Sequence, residues 1–419
     1  MPPAPLHVVV IGAGIVGAAT AVELLRDGHR VTIVEPGAPG GEQAASYGNG
    51  GWLCPCSVLP VSEPGLWRKV PGYLADPLGP LTIRWSYMPK LLPWLVKFLQ
   101  AGSSMDRVRK LARGLRPLVE GSPERHLKLA TEAGVEHLIS RAGLLYTYAS
   151  RAEFRKEAAF WAIRHENGVR WLELDEAELR QREPQLDRRY KFGVFIEDGG
   201  HCRDPGGYVA ALVRLAESQG AQRVQAGAKG FVIEQGRLRA VRTATGRIDC
   251  DRAVIAAGAR SRALALSAGD DVPLETERGY HAMISAPEAG PRHPLMPADG
   301  KMVNTPMAAG LRSAGQVELA GLDAAPNWKR AEILRQQARK AYPGLSAKDV
   351  KIWMGHRPSL PDSLPNIGPA SGSADIFHAY GHGHLGLASG ATTGRLVADL
   401  IGGLKPVIDP APYDVRRWR

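Results

Sequence analysis

The opening of the chain limits its fold more than any other stretch. Residues 7–37, HVVVIGAGIVGAATAVELLRDGHRVTIVEPG, run as an apolar segment, a glycine turn, a helix-forming segment and a second apolar segment. His7 to Ile11 is continuously apolar after its first residue, as a central parallel strand requires. Gly12, Gly14 and Gly17 form G-x-G-x-x-G where strand gives way to helix, so Ile11, Gly12, Gly14, Ile15, Val16 and Gly17 are the expected cradle for a pyrophosphate. The first glycine makes the tight turn, the second admits the phosphate and the third lets helix pack on strand. A helix is predicted from Ile15 to Arg26, closed at Gly28. The next strand, Val31 to Val34, delivers Glu35, a carboxylate placed to accept hydrogen bonds from a ribose. The motif alone does not separate NAD from FAD.

A second glycine-rich turn, YGHGHLGLASGATTGRLVADL at residues 380–400, precedes another predicted helix close to the end of the chain. Two anion cradles so far apart need a common explanation.

With 419 residues, two structural domains are expected. The composition, 44% hydrophobic and 23% charged, is that of a globular protein. The formal charge of +11 is compatible with nucleic acid, anionic lipid or small carboxylates, but no block of five like charges concentrates it, which disfavours nucleic acid. Four cysteines do not make a disulfide framework; Cys54 and Cys56 form C-x-C, and nothing ties them to His382 and His384 as a metal site, so buried reduced thiols are expected. The first residues lack a basic segment before the apolar run, and no apolar segment approaches a membrane span, which points to a cytoplasmic protein.

Between the turns, residues 60–186 read as mainly helical, with Ala142 to Tyr148 as a strand. A second αβ unit follows, with Asp204 as N-cap, Pro205 in the first helical position and Gly220 after the end. Val209, Leu212, Val213 and Ala216 make its buried stripe. A hairpin-like segment leads to an apolar strand from Ala253 to Gly258, whose glycine is either an ordinary loop residue or a point of approach to a ligand. Residues 273–322 have the texture of an antiparallel sheet. The expected class is α/β: a discontinuous Rossmann-like dinucleotide-binding domain (residues 1–60, 198–265 and 351–419) and an α+β substrate domain with an antiparallel sheet (61–197 and 266–350).

Taken together, VVVIGAGIVGAATAVELL, ASYGNGGWLCP, ERGYH, TPMAAGLR, GHRPSLPDSLPNIGP and GHGHLGL resemble the D-amino-acid oxidase superfamily, in its order and over essentially the whole length. The nearest resemblance is to bacterial FAD-dependent D-amino-acid dehydrogenases. It implies non-covalent FAD, since no flavin-linking cysteine stands near the C-terminus, and it accounts for both turns. The first would hold the ADP half. The second, Gly383, His384, Leu385 and Gly386, would face the pyrimidine edge of the flavin, where backbone N–H groups at a helix start stabilise negative charge. Ser46, Asn49, Gly50 and Gly51 would line pyrophosphate and flavin, and Val232 would meet the adenine. Relatives often carry threonine after GHLGL; here Ala388 and Ser389 stand there, so a hydroxyl contact is either missing or made by Ser389.

The implied reaction passes hydride from the substrate Cα to flavin N5, leaving an imine that hydrolyses to a 2-keto acid, with electrons continuing to a carrier or quinone. Such an enzyme must anchor a carboxylate. By itself Arg312 reads as a surface arginine at a hairpin; the resemblance makes it the anchor, a role that suits a rigid guanidinium fork. Tyr280 is either a donor to the same carboxylate or a packed aromatic, and Arg278, on the same strand face, either a second anchor or the partner of Glu275 or Glu277. Arg357 either aids electrostatically near the flavin or pairs with Asp362. Within this class a cyclic or N-substituted amino acid (hydroxy-D-proline, sarcosine or glycine) is an alternative substrate. Outside it, the chain would be an electron-transfer subunit at a membrane, with IRWSYMPKLLPWLVKFLQ lying on the bilayer or else packed on the core.

Overall fold

The computed structural model describes residues 5–75, 79, 81–346 and 348–419. Its cofactor layer is a six-stranded sheet in the order Gln222–Val224, Arg30–Val34, His7–Ile11, Arg252–Ile255, Ile376–Tyr380 and Asn366–Pro369, parallel except for the last strand. Strands buried on both faces explain the unbroken apolar runs: Val8, Val9, Val10, Ala253, Val254 and Ile255 have no exposed surface.

Three helices cover one face of this sheet. Ile15–Arg26 lies between Pro205–Ser218 and the C-terminal helix Gly386–Gly402. The closest approach rests on small residues. A Cβ at Gly394 would stand 2.8 Å from the carbonyl carbon of Ala19, and one at Gly390 would stand 2.8 Å from Ile15. Ile15 therefore meets Gly390 and Ala19 meets Gly394, so the two helices run parallel and start on the same side of the sheet. That packing brings together two turns that are remote in sequence.

The other domain is a mixed sheet running Val350–Ser359, Glu275–Ile284, Gly310–Leu319, Met302–Met307, Leu295–Pro297, Leu144–Tyr148, Phe192–Ile196 and Leu172–Leu174, with Leu81–Ile83 added beside Gly310–Leu319. The boundary expected at residue 351 falls inside this sheet, because Val350–Ser359 pairs along its whole length with Glu275–Ile284. The helical insert is also divided between layers. Met105–Val119 and Ser122–Glu132 pack on the C-terminal helix, and the Ser122 hydroxyl donates to the Ala388 carbonyl at 2.7 Å. The predicted hairpin is a small antiparallel sheet of Ala228–Glu234, Arg237–Thr243 and Gly246–Asp249.

Candidate active site

Both glycine turns and the edge of the mixed sheet open onto one cavity of about 1520 Å³, above the roughly 300–1,000 Å³ of ordinary ligand pockets and roomy enough for a dinucleotide with a substrate. At the first turn Gly12 has φ +108°, and a side chain there would run into the Ala256 carbonyl. Gly17 does not face the cavity; its missing side chain lets the helix sit against the Gly12 carbonyl. Glu35 is buried, and its carboxylate accepts from the backbone N–H of Ala13 at 2.8 Å and of Gly37 at 3.1 Å. Its remaining lone pairs are available to a ribose. The Ser46 hydroxyl accepts from the Ile15 N–H at 3.0 Å, so it braces the helix start as it lines the cavity.

Ile11, Gly12, Gly14, Ile15, Val16, Glu35, Ser46, Asn49, Gly50, Gly258, Gly383, His384, Leu385 and Gly386 all line this cavity. Besides Gly17, two expected contacts do not. Val232 is paired with Ala240 within its ladder, and Gly227, Ala228 and Lys229 at the strand's start line the wall instead. Gly51 faces away, against the Cys202 carbonyl, at φ +80°. Ser389 also turns inward, its hydroxyl donating to the Leu385 carbonyl at 2.7 Å, so the cavity meets Ala388 without a hydroxyl at that position.

The two arginines differ in their access to the cavity. Arg312 is 6% exposed and lies behind the wall, not on it. One guanidinium nitrogen donates to the carbonyls of Tyr47 and Asn49 at 3.0 and 2.7 Å, and burial lowers its pKa to about 10. Its work is to hold the Tyr47–Gly51 loop in place. Arg357 lines the cavity. Its guanidinium donates to the carbonyls of Gln316 at 2.9 Å and Gly315 at 3.3 Å and lies over Gly279, where a side chain would collide with it. Gln316, at φ +61°, sits at a bulge opposite Arg278 and Tyr280, next to the paired Gly315. Burial lowers the Arg357 pKa and the Glu277 charge opposes that. Glu277 itself is buried; burial alone would raise its pKa, but His384, whose ring nitrogen lies 2.7 Å away, and Arg357 bring it below the ordinary value. Asp362 is taken by Arg417 at 2.8 Å, so Arg357 does not pair with it.

Tyr280 touches the cavity, but its hydroxyl donates to Glu318 and accepts from the Asn327 N–H at 2.9 Å; burial, then Glu318, raises its pKa to about 12. Arg278 is fully buried and shares Glu318 rather than pairing with Glu275 or Glu277. Both are structural members of the sheet. Sequence reasoning missed Glu277 and Gln316 as cavity residues, and gave Arg357 only an electrostatic part near the flavin or a pairing with Asp362. The glycine within ERGYH was the available sign, since glycine inside a strand marks a close approach.

All four cysteines are free and buried; the Cys54 and Cys56 sulfurs lie 2.8 Å apart beside the Tyr146 hydroxyl, away from His382 and His384. Among the described residues there is no cluster suited to a metal ion and no helix long and apolar enough to cross a membrane.

A parallel sheet with a glycine turn and a following acid, joined to an antiparallel substrate sheet over one shared cavity, defines a two-domain dinucleotide-dependent enzyme. The model of the DAO family, FAD dependent oxidoreductase, matches residues 7–400, and the chain belongs to this family. It is an FAD-dependent oxidoreductase, and the glycine cradles and Glu35 fit that cofactor. The chain is 56% identical over 416 residues to the D-amino-acid oxidase of Bradyrhizobium diazoefficiens, spanning 98% of this chain and 99% of that protein. It is 31% identical over 429 residues to the D-amino acid dehydrogenase of Paramagnetospirillum magneticum, 99% of each being covered. Among solved structures, glycine oxidase from Geobacillus kaustophilus matches with a TM-score of 0.73 at 21% identity, covering 98% of both chains. L-amino acid deaminase from Proteus vulgaris matches at 0.74 and 19% identity, covering 99% of this chain and 97% of that one. These two likenesses show the fold.

Proposed function

We propose that the protein oxidises a D-amino acid at Cα to its imine, which water converts to the 2-keto acid, and that Arg357 rather than Arg312 anchors the substrate carboxylate. Bound FAD supplies the hydride acceptor. The observation that carries the reading is a guanidinium held on the cavity wall by the carbonyls of Gly315 and Gln316, with only two of its five N–H donors engaged by them. A planar fork fixed in this way can offer two parallel donors to a carboxylate. Glu277 balances its charge, and Gly279 leaves the space in which it lies. The D configuration is supported by the names of relatives similar over nearly their whole length. Ile11, the first glycine turn, Glu35 and Ser46 would hold the ADP half; Gly383 to Gly386 would face the flavin.

Mixing the holoprotein without oxygen with D- and L-amino acids, glycine, sarcosine and hydroxy-D-proline, and following the visible flavin bands, tests this. Bleaching by D-amino acids is expected; bleaching by none, or by L-forms alone, overturns it. Re-oxidation by air compared with a soluble quinone then assigns the electron acceptor.

A second reading, contact with a membrane surface, is favoured by the outer side of helix Met88–Ala101. Pro89, Leu92, Pro93 and Val96 are exposed there beside Lys90 and Lys97, while Leu91, Trp94 and Phe98 face the core. Trp85, in the turn just before this helix, is 70% exposed. Apolar and basic residues on one helical face suit an anionic bilayer surface. Salt-sensitive cosedimentation with anionic vesicles is expected on this reading, and its absence at low salt sinks it.

A further inference from the structure

Beyond Arg357 the cavity changes character. Two residues along the same strand, the Ser359 carbonyl accepts a hydrogen bond from the Trp94 indole at 3.3 Å. Trp94 stacks on Phe98 with ring centroids 4.9 Å apart and an interplanar angle of 14°. Both rings line the cavity, together with Ile83, Leu95, Leu99 and Leu319. Trp94 and Phe98 are 6% and 9% exposed, so the wall is fixed by packing. The hydrogen bond to Ser359 sets its distance from the guanidinium along a single strand.

We infer that this aromatic and aliphatic wall is the side-chain pocket of the substrate, an assignment that rests on the amino-acid oxidation proposed above. The substrate class is the amino acid with a bulky apolar side chain, such as leucine, methionine or phenylalanine. An alanine methyl leaves the wall's apolar surface uncovered, and an aspartate or glutamate side chain would leave water for an apolar wall. A single methylene in a hydrophobic pocket is worth about 10-fold or more in kcat/KM, so three further carbons discriminate measurably.

The test is the ratio of kcat/KM values across D-alanine, D-leucine, D-phenylalanine and D-aspartate for the holoprotein. D-leucine or D-phenylalanine is expected to exceed D-alanine by at least about 10-fold, with D-aspartate lowest. Phe98→Ala is expected to remove most of that preference, lowering the ratio of kcat/KM for D-leucine over D-alanine by about 10-fold or more. A misfolded variant would instead lose activity toward every substrate, and Leu92→Ala, on the solvent side of the same helix, should leave the ratio alone. D-alanine or D-aspartate equalling D-leucine overturns the assignment. So does Phe98→Ala raising the KM of a quinone acceptor while leaving the amino-acid ratio intact. If no amino acid reduces the flavin, the oxidation reading falls by itself. The pocket is then read from flavin absorbance on titration with 4-methylvalerate and acetate: tighter binding of the branched acid supports it, and equal binding overturns it.

Discussion

Two arginines on strands of one sheet, either side of Glu275–Ile284, serve different ends because of what surrounds each guanidinium. Arg357 is held by carbonyls at the cavity wall, whereas Arg312 is spent on the backbone behind it. Arg357→Met is therefore expected to lower kcat/KM at least about 30-fold, equivalent to about 2 kcal/mol, with flavin content retained. Arg312→Met removes charged hydrogen bonds to Tyr47 and Asn49 and should cost about 2 kcal/mol of stability and weaken FAD retention. In that variant, the KM for the amino acid should stay within about two-fold of the parent, because the side chain does not reach the cavity. Steady-state kinetics beside thermal melts separate the two. A large KM change in the Arg312 variant with normal stability would reverse these roles.

At the scale of elements, the distance between the two cofactor turns depends on how closely helix Ile15–Arg26 approaches helix Gly386–Gly402. Gly394 permits the contact with Ala19, and it lies inside the helix, past the Gly383 to Gly386 turn. Gly394→Val forces the helices apart and should cost about 1–3 kcal/mol by overpacking. Because the N-terminal ends would separate, the variant should also bind FAD at least about ten-fold more weakly, on the footing that each 1.4 kcal/mol is a factor of ten. Equilibrium titration of the apoprotein with FAD measures it. A variant destabilised but with unchanged FAD affinity would show that the helix contact does not set the turns' spacing.

For the molecule as a whole, burial of neutral imidazoles governs the response to acid. Burial lowers His126 and His201 to about 4, and His281 and His382 to about 3, from an ordinary 6.5. Above pH 6.5 these groups are neutral both folded and unfolded, and they make no difference. Between 6.5 and about 4 the unfolded chain binds protons that the folded one refuses, so stability falls as pH falls. The slope is up to about 1.4 kcal/mol per pH unit for each such histidine. Asp270 extends the loss: burial alone would raise it, but hydrogen bonds from His378 and Ser371 bring it down to about 2, so its contribution disappears as pH drops from its ordinary value of 3.8 toward 2. Tm should thus decline steadily below pH 6.5, and His126→Gln should flatten part of that decline. A Tm independent of pH between 6.5 and 4 would contradict the burial of these rings as neutral groups. Saturating FAD should raise Tm at every pH, since it binds only the folded chain.

What local sequence determined was whatever depends on neighbours along the chain. The run His7–Ile11, the glycine spacing, the acid after the second strand and the cap at Asp204 each follow from backbone geometry and short-range hydrogen bonding, and each is found where the residues place it. Tertiary structure alone decided which charged side chain reaches the cavity. Arg312 and Arg357 are both strand arginines, and nothing in their immediate context says which of them reaches the cavity. The difference is the pair of carbonyls, at Gly315 and Gln316, that accept from Arg357, and a loop from Tyr47 to Asn49 that closes over Arg312. Register between strands is fixed by the packing of whole faces rather than by local preference. The same holds for the domain limit at residue 351, where a strand that reads as part of the C-terminal segment is claimed by the sheet of the other domain. Side-chain chemistry was written locally; its address was set by pairing over long distances in the chain.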